Sequence, residues 1–476
     1  MSEEKMESIA IDDIYAKKPF YAWIALIGGL LAWTFDGVEQ GVYAIMSRAA
    51  LKDLIPQIHD HVEQLNALMA QGAVNAQTQI AELTKVVDEE VGFYFGLAMA
   101  MWLWGAAIGG VLFGHLGDRM GRVKALIFAV ITYSIFTGLS ALTTHWWQFC
   151  SCRLLGSMGL GGAWPLSLAL IVETWPERNR SVLSGLMGAG ANVGFLIAAW
   201  YSGFMLELKE SNPEAYAWIN WRWVIGMGFF IGISSLLIIV FVPEPTKWKI
   251  AKAKKQHSSF KDLFAPRYRR AAIVGPLLST VALLGTWGSF LWMSTFVDQI
   301  AQGTEFQETA KATMGRWQSV GQIAGGFLGG VLAVLMGGNK RSWVFLCIAT
   351  WASVFSLFYF NTIFGYQMLF MAALAGIFVT AYFGWLPKYL SELFPTRIRA
   401  LGQGFSFNFG RILTGFGVLG AGWLTKEVFE GDYRRTMMVM CTIYLTGLIV
   451  ILFAPNTGMK LVSDEEDEAA IQRGDA

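Results

Sequence analysis

Twelve apolar runs dominate the chain, and they constrain its fold more than any other feature of the sequence. They cover residues 20–46, 92–113, 125–143, 147–172, 181–204, 221–242, 271–296, 310–336, 342–360, 364–389, 400–425 and 435–455. A helix needs about 20 apolar residues to cross a bilayer, and the runs lack the alternating pattern of a β-barrel. The 476 residues are 54% hydrophobic and only 15% charged. We therefore predict an all-α membrane protein with twelve transmembrane helices, which we call spans 1 to 12.

A charged segment that joins two of these runs occurs twice. Glu173-Thr-Trp-Pro-Glu-Arg-Asn-Arg-Ser181 follows span 4, and Glu392-Leu-Phe-Pro-Thr-Arg-Ile-Arg-Ala400 follows span 10. The repeat predicts two related, pseudo-symmetric six-helix bundles, as in transporters whose halves rock against each other. The predicted parts of the chain are a tail 1–19, an N-terminal half 20–245, a lysine-rich central loop 246–270, a C-terminal half 271–455 and an acidic tail 456–476.

Lysine and arginine are distributed unequally between the two sides of these spans. With the N-terminus inside, the inner segments hold 24 of the 36 and the outer segments hold 9. Cytoplasmic loops carry the excess of positive residues in membrane proteins. We therefore expect both termini, and both copies of the repeated segment, on the cytoplasmic face of a bacterial inner membrane.

The outer segment 47–91 is far longer than a turn. Its apolar residues have helical spacing, which predicts an amphipathic helical cap over the outer mouth; they are Leu51, Ile55, Ile58, Val62, Leu65, Leu68, Ile80, Leu83 and Val87. His59 and His61 lie within this segment and could bind a metal ion. Surface histidines are the simpler interpretation, because no other cluster of ligands supports a site, and no metal is expected.

Two carboxylates and one cation lie inside the spans of the N-terminal half. Asp36 and Glu39 are three residues apart on span 1, nearly on one face, and Arg153 lies at a similar depth on span 4. Ionisable groups inside a membrane are costly and usually functional. We predict that Asp36, Glu39 and Arg153 couple transport to a proton, with Asp36 paired to Arg153. The alternative is a permanently ionised pair that serves packing alone.

Span 11 carries a cation near the middle of the membrane. Arg411 stands beside Asn408, and a guanidinium binds a carboxylate through two parallel hydrogen bonds. These residues favour an anionic substrate, although an arginine can also bond to carbonyl groups of a neighbouring helix. The predicted substrate-binding residues are Arg411, Asn408, Arg316, Gln318, Gln322 and Trp385. The amides and Trp385 would suit a neutral sugar or polyol equally well.

Several motifs carry a resemblance to a known family. Gly114-His-Leu-Gly-Asp-Arg-Met-Gly-Arg122, between spans 2 and 3, closely resembles the signature of the major facilitator superfamily. The glycine ladder Cys152-Arg-Leu-Leu-Gly-Ser-Met-Gly-Leu-Gly-Gly162 resembles the second motif of that superfamily. The metabolite:proton symporters, in particular the sialate, lactate and aromatic-acid branches, are resembled by Gly161-Gly-Ala-Trp-Pro-Leu-Ser-Leu168, Glu173-Thr-Trp-Pro-Glu-Arg178 and Trp33-Thr-Phe-Asp-Gly37. Glu39 stands where the aromatic-acid branch often has a second aspartate. Pro243-Glu244-Pro245 and the second copy of the repeat are shared with proton-coupled sugar porters.

This resemblance implies the fold of that superfamily and an inner gate built from charged residues. Its predicted members are Gly114, Gly117, Asp118, Arg119, Gly121, Arg122, Glu173, Arg180, Glu392 and Arg399. The alternative is that these segments only fix topology through the positive-inside rule. Gly337-Gly-Asn-Lys-Arg341 occupies the equivalent place in the second half and lacks the acidic residue, so the halves should not lock symmetrically.

These features together predict a proton-coupled symporter of a small organic acid. The alternatives are a transporter of neutral sugars or polyols and a membrane sensor with a transporter fold. An enzyme is not expected, because no nucleophile–base arrangement, nucleotide-binding loop or metal cluster is evident in the sequence. The four cysteines all fall inside apolar runs. We expect no cofactor other than the coupling proton, an anionic small-molecule substrate, a monomer within the lipid bilayer and no nucleic-acid partner.

Overall fold

The computed structural model describes residues 19–458 except 71–76, 176, 246–259, 308 and 396–397. Its helices confirm the all-α prediction, and the described residues contain no strand. The spans are Pro19–Leu54, Gln77–Met120, Arg122–Ser140, Trp146–Thr174, Glu177–Ser211, Trp221–Ile239, Arg269–Gly288 continued by Met293–Ile300, Ala310–Leu335, Asn339–Phe360, Tyr366–Glu392, Arg399–Trp423, and Tyr433–Met440 continued by Ile443–Val450. Within the described residues, nine of these segments are long and apolar enough to cross a membrane.

Glycines allow the spans within each half to approach closely. In the N-terminal half a Cβ at Gly109 of span 2 would lie 1.9 Å from the carbonyl oxygen of Met158 on span 4. In the C-terminal half a Cβ at Gly325 of span 8 would lie 2.1 Å from the carbonyl oxygen of Ile377 on span 10. Only glycine fits at such backbone contacts, which small residues provide in membrane helices. The same close pair therefore occurs in both halves, as the repeat predicts.

The two halves meet along two pairs of spans. Span 2 packs against span 11, and span 5 packs against span 8. Small residues again form the contacts: Gly96 lies against Gly422 in the first pair, and Gly315 lies against Ala199 in the second. Any charged or polar group on these faces is therefore placed at the interface between the halves.

Spans 1 and 2 are longer than the thickness of a membrane. At a rise of 1.5 Å per residue, 36 and 44 residues give helices of about 54 and 66 Å, whereas a hydrocarbon core is about 30 Å thick. A turn of 3₁₀-helix, Pro56–Ile58, and the helix His59–Ala70 follow span 1. We call this extended end of the bundle the outer end, following the predicted orientation.

The predicted helical character of 47–91 is confirmed for the described residues. Its apolar positions face inward: Leu51, Ile55, Ile58, Leu65, Leu83 and Val87 are buried, and Val62, Leu68 and Ile80 are half-buried. The helix His59–Ala70 packs against span 2. The Nε2 atom of His59 lies 2.9 Å from the carbonyl oxygen of Asp53, which gives this histidine a structural hydrogen bond. The segment therefore extends the N-terminal half.

Candidate functional site

Arg153 pairs with Glu39 inside the N-terminal half. Its Nη1 donates to Oε1 of Glu39, which also accepts a hydrogen bond of 3.3 Å from the hydroxyl of Thr137. The guanidinium lies 3.9 Å from the ring centre of Tyr43. The predicted Asp36–Arg153 pair is wrong, because Glu39 lies about 4.5 Å nearer the outer end along span 1 and so stands level with Arg153.

Several polar atoms of this cluster are buried without a partner. Oε2 of Glu39, Nε of Arg153 and the hydroxyl of Tyr43 have no hydrogen-bond partner among the described residues. Buried polar atoms are usually bonded, so such exceptions point to water, an ion or a functional role. The Glu39–Arg153 pair therefore has bonding capacity left for a proton or a water molecule.

Asp36 is held by a neutral neighbour instead of an arginine. The side chain is buried, and its Oδ1 accepts a hydrogen bond from Nε2 of Gln40, one turn along span 1. Arg411 of the C-terminal half and Arg153 are cations close enough to act electrostatically on Asp36. This buried carboxylate thus lies where the charges of the two halves meet.

Arg411 is a buried cation that donates hydrogen bonds to neutral oxygen atoms. Nη1 lies 3.3 Å from Oδ1 of Asn408 and 3.5 Å from the carbonyl oxygen of Ala106 on span 2. The guanidinium also lies 4.8 Å from the ring centre of Phe407. The structure therefore brings together the predicted pair Arg411 and Asn408 and places them at the interface between the halves. The sequence left open that Arg411 bonds to a carbonyl group of a neighbouring helix, and the contact with Ala106 is such a bond. Both hydrogen bonds use Nη1, so the other guanidinium donors remain for a ligand.

Two predicted substrate-binding residues have other roles. Arg316 pairs with Glu207 at 3.2 Å and lies 4.2 Å from the ring centre of Trp200, both on span 5. Trp385 is fully buried within the C-terminal half, where its indole nitrogen donates to the hydroxyl of Ser342 at 2.8 Å. A carboxylate on the facing span holds the arginine, and core packing holds the tryptophan. Neither side chain lines the cavity between the halves.

A small cavity between the halves is lined by the other two predicted residues. Its walls come from spans 1, 5, 7 and 8, and its volume is about 30 Å³. Gln318, Gln322, Ser319, Ser294 and Lys311 supply its polar side chains. Nε2 of Gln318 is buried and has no hydrogen-bond partner among the described residues. The cavity thus has an unused hydrogen-bond donor.

The predicted inner motif is held by a residue outside it. Gly121 has φ +117°, a conformation that suits glycine, and it precedes span 3. The Glu244 carboxylate, just after span 6, accepts hydrogen bonds from the backbone nitrogens of Val123 (3.2 Å) and Lys124 (3.1 Å). A carboxylate at a helix N-terminus bonds otherwise unpaired N–H groups. Glu244 therefore fixes the loop between spans 2 and 3 to the end of span 6.

Glu392 has neutral partners in the C-terminal half and in the tail that follows it. It is buried and accepts hydrogen bonds from Nδ2 of Asn339 at 2.6 Å and from the hydroxyl of Thr457 at 2.5 Å. This geometry differs from the predicted gate between the halves, because neither Asn339 nor Thr457 belongs to the N-terminal half. Asn339 follows Gly338 where the first half has the signature motif, so a neutral amide substitutes for a charged partner.

The remaining predicted gate residues are described only in part. A Cβ added at Gly114 would have no described heavy atom within 4 Å, and a Cβ added at Gly117 would contact Leu166. Arg119 is exposed and Arg122 is half-buried. The side chains of Asp118, Glu173, Arg180 and Arg399 lie outside the described part of the structure. The inner gate stays a prediction.

A network of buried charges joins the two halves at the outer end. Arg48 of span 1 bonds to Asp88 of span 2 and, through Nε at 2.6 Å, to Oδ2 of Asp298 on span 7. Lys311 of span 8 lies 2.9 Å from Oδ1 of Asp298, and Nε2 of Gln299 donates to Asp88. All four charged side chains are buried. The outer ends of the halves are therefore closed against each other in this structure.

Further contacts surround this outer network, which we define as Arg48, Asp88, Asp298 and Lys311. The Tyr433 hydroxyl donates to the carbonyl oxygen of Asp88 at 2.9 Å, and Lys426 pairs with Glu90 at 2.7 Å. At the surface Lys85 bonds to Glu430, and this bond lowers the pKa of Glu430. In the sequence, Arg48 and Lys311 are two of the nine lysine and arginine residues counted in the outer segments. The sequence gives one indication of their role, which is that each lies at or next to the end of a long apolar span.

Comparison with known proteins relates this geometry to a family. Residues 67–315 match the model of the Major Facilitator Superfamily, and residues 283–474 match that of Sugar (and other) transporter. The cis,cis-muconate transport protein of Acinetobacter baylyi is 27% identical over 75% of this chain and 84% of that protein. The sialic acid transporter NanX of Escherichia coli is 27% identical over 64% of this chain and 71% of that protein.

A solved structure agrees at the level of the fold. The crystal structure of a D-xylose-proton symporter superposes with a TM-score of 0.64 and 17% identity, over 93% of this chain and 99% of that chain. Together with the family model, which matches more than half of the chain, it confirms the resemblance carried by the motif at 114–122. The chain belongs to the Major Facilitator Superfamily and is a multi-pass membrane transporter, not an enzyme.

Proposed function

We propose that the protein is a proton-coupled symporter of a small organic acid. In this proposal it lies in a bacterial inner membrane with both termini cytoplasmic and works by alternating access of its halves. The observation that carries the proposal is the placement of Arg411, a buried cation at the interface with neutral hydrogen-bond partners. The muconate and sialic acid transported by two relatives are carboxylic acids, which supports this substrate class.

Arg411 would bind the carboxylate of the substrate. A buried guanidinium has lost much of its hydration, and its amide and carbonyl partners replace that loss only in part. A carboxylate would add two charge-assisted hydrogen bonds and neutralise the charge. Asn408, already bonded to Arg411 at 3.3 Å, orients the guanidinium.

Glu39 and Asp36 would carry the proton. Glu39 pairs with Arg153 in this structure, and a proton bound to Glu39 would weaken that pair and free the guanidinium. Asp36 interacts electrostatically with Glu39, Arg153 and Arg411, so its charge would affect how strongly Arg411 attracts a substrate. Protonation on span 1 and substrate binding on span 11 would thus act on one electrostatic system across the two halves.

Transport by purified protein in proteoliposomes tests both parts. We expect accumulation of an acid from a panel of cis,cis-muconate, sialic acid and benzoate, driven by an inward proton gradient. Equal uptake with and without the gradient would refute coupling. Glu39→Gln should lose gradient-driven uptake but keep exchange of labelled for unlabelled acid, because exchange needs no net proton movement.

Substrate recognition is tested separately. Arg411→Lys keeps the charge but cannot form the two-pronged contact with a carboxylate. We expect binding of the acid to weaken at least about tenfold, since a hydrogen bond to a charged group contributes about 1.5–3 kcal/mol. Unchanged affinity would remove Arg411 from the site.

A neutral sugar is the second candidate, favoured by the cavity that Gln318 and Gln322 line. Amide side chains suit hydroxyl groups, and Gln318 has an unused donor. Competition in one binding assay separates the two: acids should displace a bound acid, and D-xylose should not. Displacement by D-xylose alone would favour the sugar.

A further inference from the structure

Spans 3 and 9 begin at equivalent places in the two halves, but their first turns have different surroundings. A glycine with positive φ precedes each span, Gly121 at +117° and Gly338 at +151°. The Glu244 carboxylate, just after span 6, bonds the backbone at the start of span 3. Span 9 has no acidic residue in its first turn, and the glycine before it supplies no capping side chain. The start of span 9 therefore lacks the carboxylate that its counterpart has.

The sequence after span 12 shows why this carboxylate is missing. Pro243-Glu244 follows span 6, whereas Pro455-Asn456 follows span 12, so a neutral amide stands where the first half has an acid. Acidic residues come later, in the run 464–468 with the sequence Asp-Glu-Glu-Asp-Glu, which lies outside the described residues. The run begins six residues after Gly458 (464 − 458 = 6), a length of chain that spans at most about 20 Å. Its carboxylates can therefore reach any group near Gly458.

The chain just before Gly458 is fixed to the starts of spans 7 and 9. Nε of Arg270, in the first turn of span 7, donates to the carbonyl oxygen of Phe453 at 2.7 Å. Nδ2 of Asn339, the first residue of span 9, donates to the hydroxyl of Thr457 at 3.1 Å. Oδ1 of Asn339 is buried without a hydrogen-bond partner among the described residues, and an N–H group of the following residues would satisfy it. The acidic run is therefore tethered beside the first turn of span 9.

Four cations lie in the first turns of the two spans that hold this segment. We call them the inner basic surface: Arg269, Arg270, Lys340 and Arg341. Lys340 is half-buried and the three arginines are exposed. None of the four forms an ion pair with a carboxylate among the described residues. The positive ends of two helix dipoles add to these charges, so the surface favours an anion.

We propose that the acidic run 464–468 docks on the inner basic surface of its own chain and bonds the start of span 9, as Glu244 bonds the start of span 3. The run brings five carboxylates to four cations. Exposed ion pairs are individually weak, but a short tether gives an effective concentration on the order of millimolar, so several pairs form together. The docked run neutralises and stabilises the inner end of the C-terminal half. This contact is independent of the proposed function.

Coupling with a carbodiimide tests the contact, because this reagent joins a lysine amine to a carboxylate only where the two groups touch. The full chain is placed in phosphatidylcholine nanodiscs, one molecule in each, and coupled peptides are identified by mass spectrometry. Lys340 should couple to the run 464–468 in about 0.01 M salt. In about 1 M salt the coupling should be lost, because the Debye length falls from about 30 Å to about 3 Å. The pair Lys85 and Glu430, which is in direct contact, shows that the reagent is active.

Lys124 is the matched control for Lys340. It is exposed in the first turn of span 3, the equivalent place in the N-terminal half, where Glu244 already bonds the backbone. Lys124 should therefore not couple to the run 464–468.

Two variants test the charges on each side of the contact. Arg269→Gln combined with Arg341→Gln removes two exposed cations that make no ion pair with a described residue, and it should reduce the coupling of Lys340 several-fold. A neutral-run variant replaces the five acids of 464–468 by their amides. Its melting temperature should lie below that of the parent protein in low salt and equal it in 1 M salt, where screening removes the contact from the parent as well.

Anionic lipid headgroups are the competing occupant, because basic residues on the cytoplasmic side attract them. Coupling of Lys340 that persists when phosphatidylglycerol is added to the nanodiscs supports the acidic run as the occupant. Loss of that coupling assigns the inner basic surface to lipid and overturns the proposal. The docking is also refuted if Lys340 does not couple in low salt, or if Lys124 couples equally well. An unchanged melting temperature of the neutral-run variant in low salt refutes the stabilising effect.

Discussion

Arg48 is the residue whose removal should most change the resting state of the protein. It bonds to one carboxylate in each half, and its side chain is almost completely buried. Arg48→Met keeps a long, unbranched side chain but removes the charge. The bond across the halves to Asp298 is then lost, and the Asp88 carboxylate keeps only its hydrogen bond from Gln299 among the described residues.

The magnitude follows from the burial of these groups. Removing one member of a buried ion pair costs about 3–5 kcal/mol, because the other charge is left unpaired. The cost falls on the outer-closed state alone, since water reaches Asp88 once the outer ends separate. With about 1.4 kcal/mol for each factor of ten, the ratio of closed to open molecules should fall by about two to three and a half orders of magnitude. A protein closed in about 99% of molecules would become about half open at the lower end of this range and mostly open at the upper end.

The assay is double electron–electron resonance, which gives the distances between spin labels at Glu63→Cys and Glu305→Cys in lipid nanodiscs, without any acid. Arg48→Met should move most of the population to longer distances. Lys85→Met is the matched control, because it removes an exposed ion pair across the same end, and such pairs contribute little. If the distance distribution of Arg48→Met overlaps that of the parent, the buried outer network does not hold the halves together.

Two further substitutions test assignments that differ from the sequence-based predictions. Glu244→Ala removes the side chain that bonds to the start of span 3, so the melting temperature should fall by an amount equivalent to about 1 kcal/mol. Glu214→Ala, at an exposed glutamate, is the control. An unchanged melting temperature for Glu244→Ala would contradict the capping role. Trp385→Phe loses the hydrogen bond to Ser342 and should lower the melting temperature while leaving the affinity for acid unchanged, and a large loss of affinity would instead place Trp385 in the substrate site.

The spans and their division into two related halves followed from the sequence because local rules control them. Long apolar runs must be helices in lipid, and the repeated segment after spans 4 and 10 implied two related halves. The prediction that Asp36, and not Glu39, pairs with Arg153 was wrong for a geometric reason. One turn of span 1 separates the two carboxylates, and the uncertainty in where span 4 begins is of the same size.

The outer network was outside the reach of sequence reasoning. Arg48 and Asp298 are 250 positions apart, and both stand at the ends of spans, where charged residues are expected to face water. Their burial depends on spans 1 and 2 remaining helical far beyond the membrane, which carries Arg48 and Asp88 to the same level. Hydropathy detects where a helix leaves the lipid, but it does not detect that the protein continues to exclude water beyond that point.

Gly37, next to Asp36, provides a test of how the carboxylate proposed to bind a proton is positioned. A Cβ at this position would lie 2.0 Å from the carbonyl oxygen of Ala191 on span 5, so span 1 has to move if the side chain is added. Overpacking of this kind costs about 1–3 kcal/mol, and here it would also displace Asp36 from the region of Arg411. Gly37→Ala should therefore lower both the melting temperature and gradient-driven uptake. Gly420→Ala on span 11 is the control, because no described heavy atom lies within 4 Å of the added carbon, and it should preserve both. If Gly37→Ala kept full uptake, close packing of spans 1 and 5 would not be what positions Asp36.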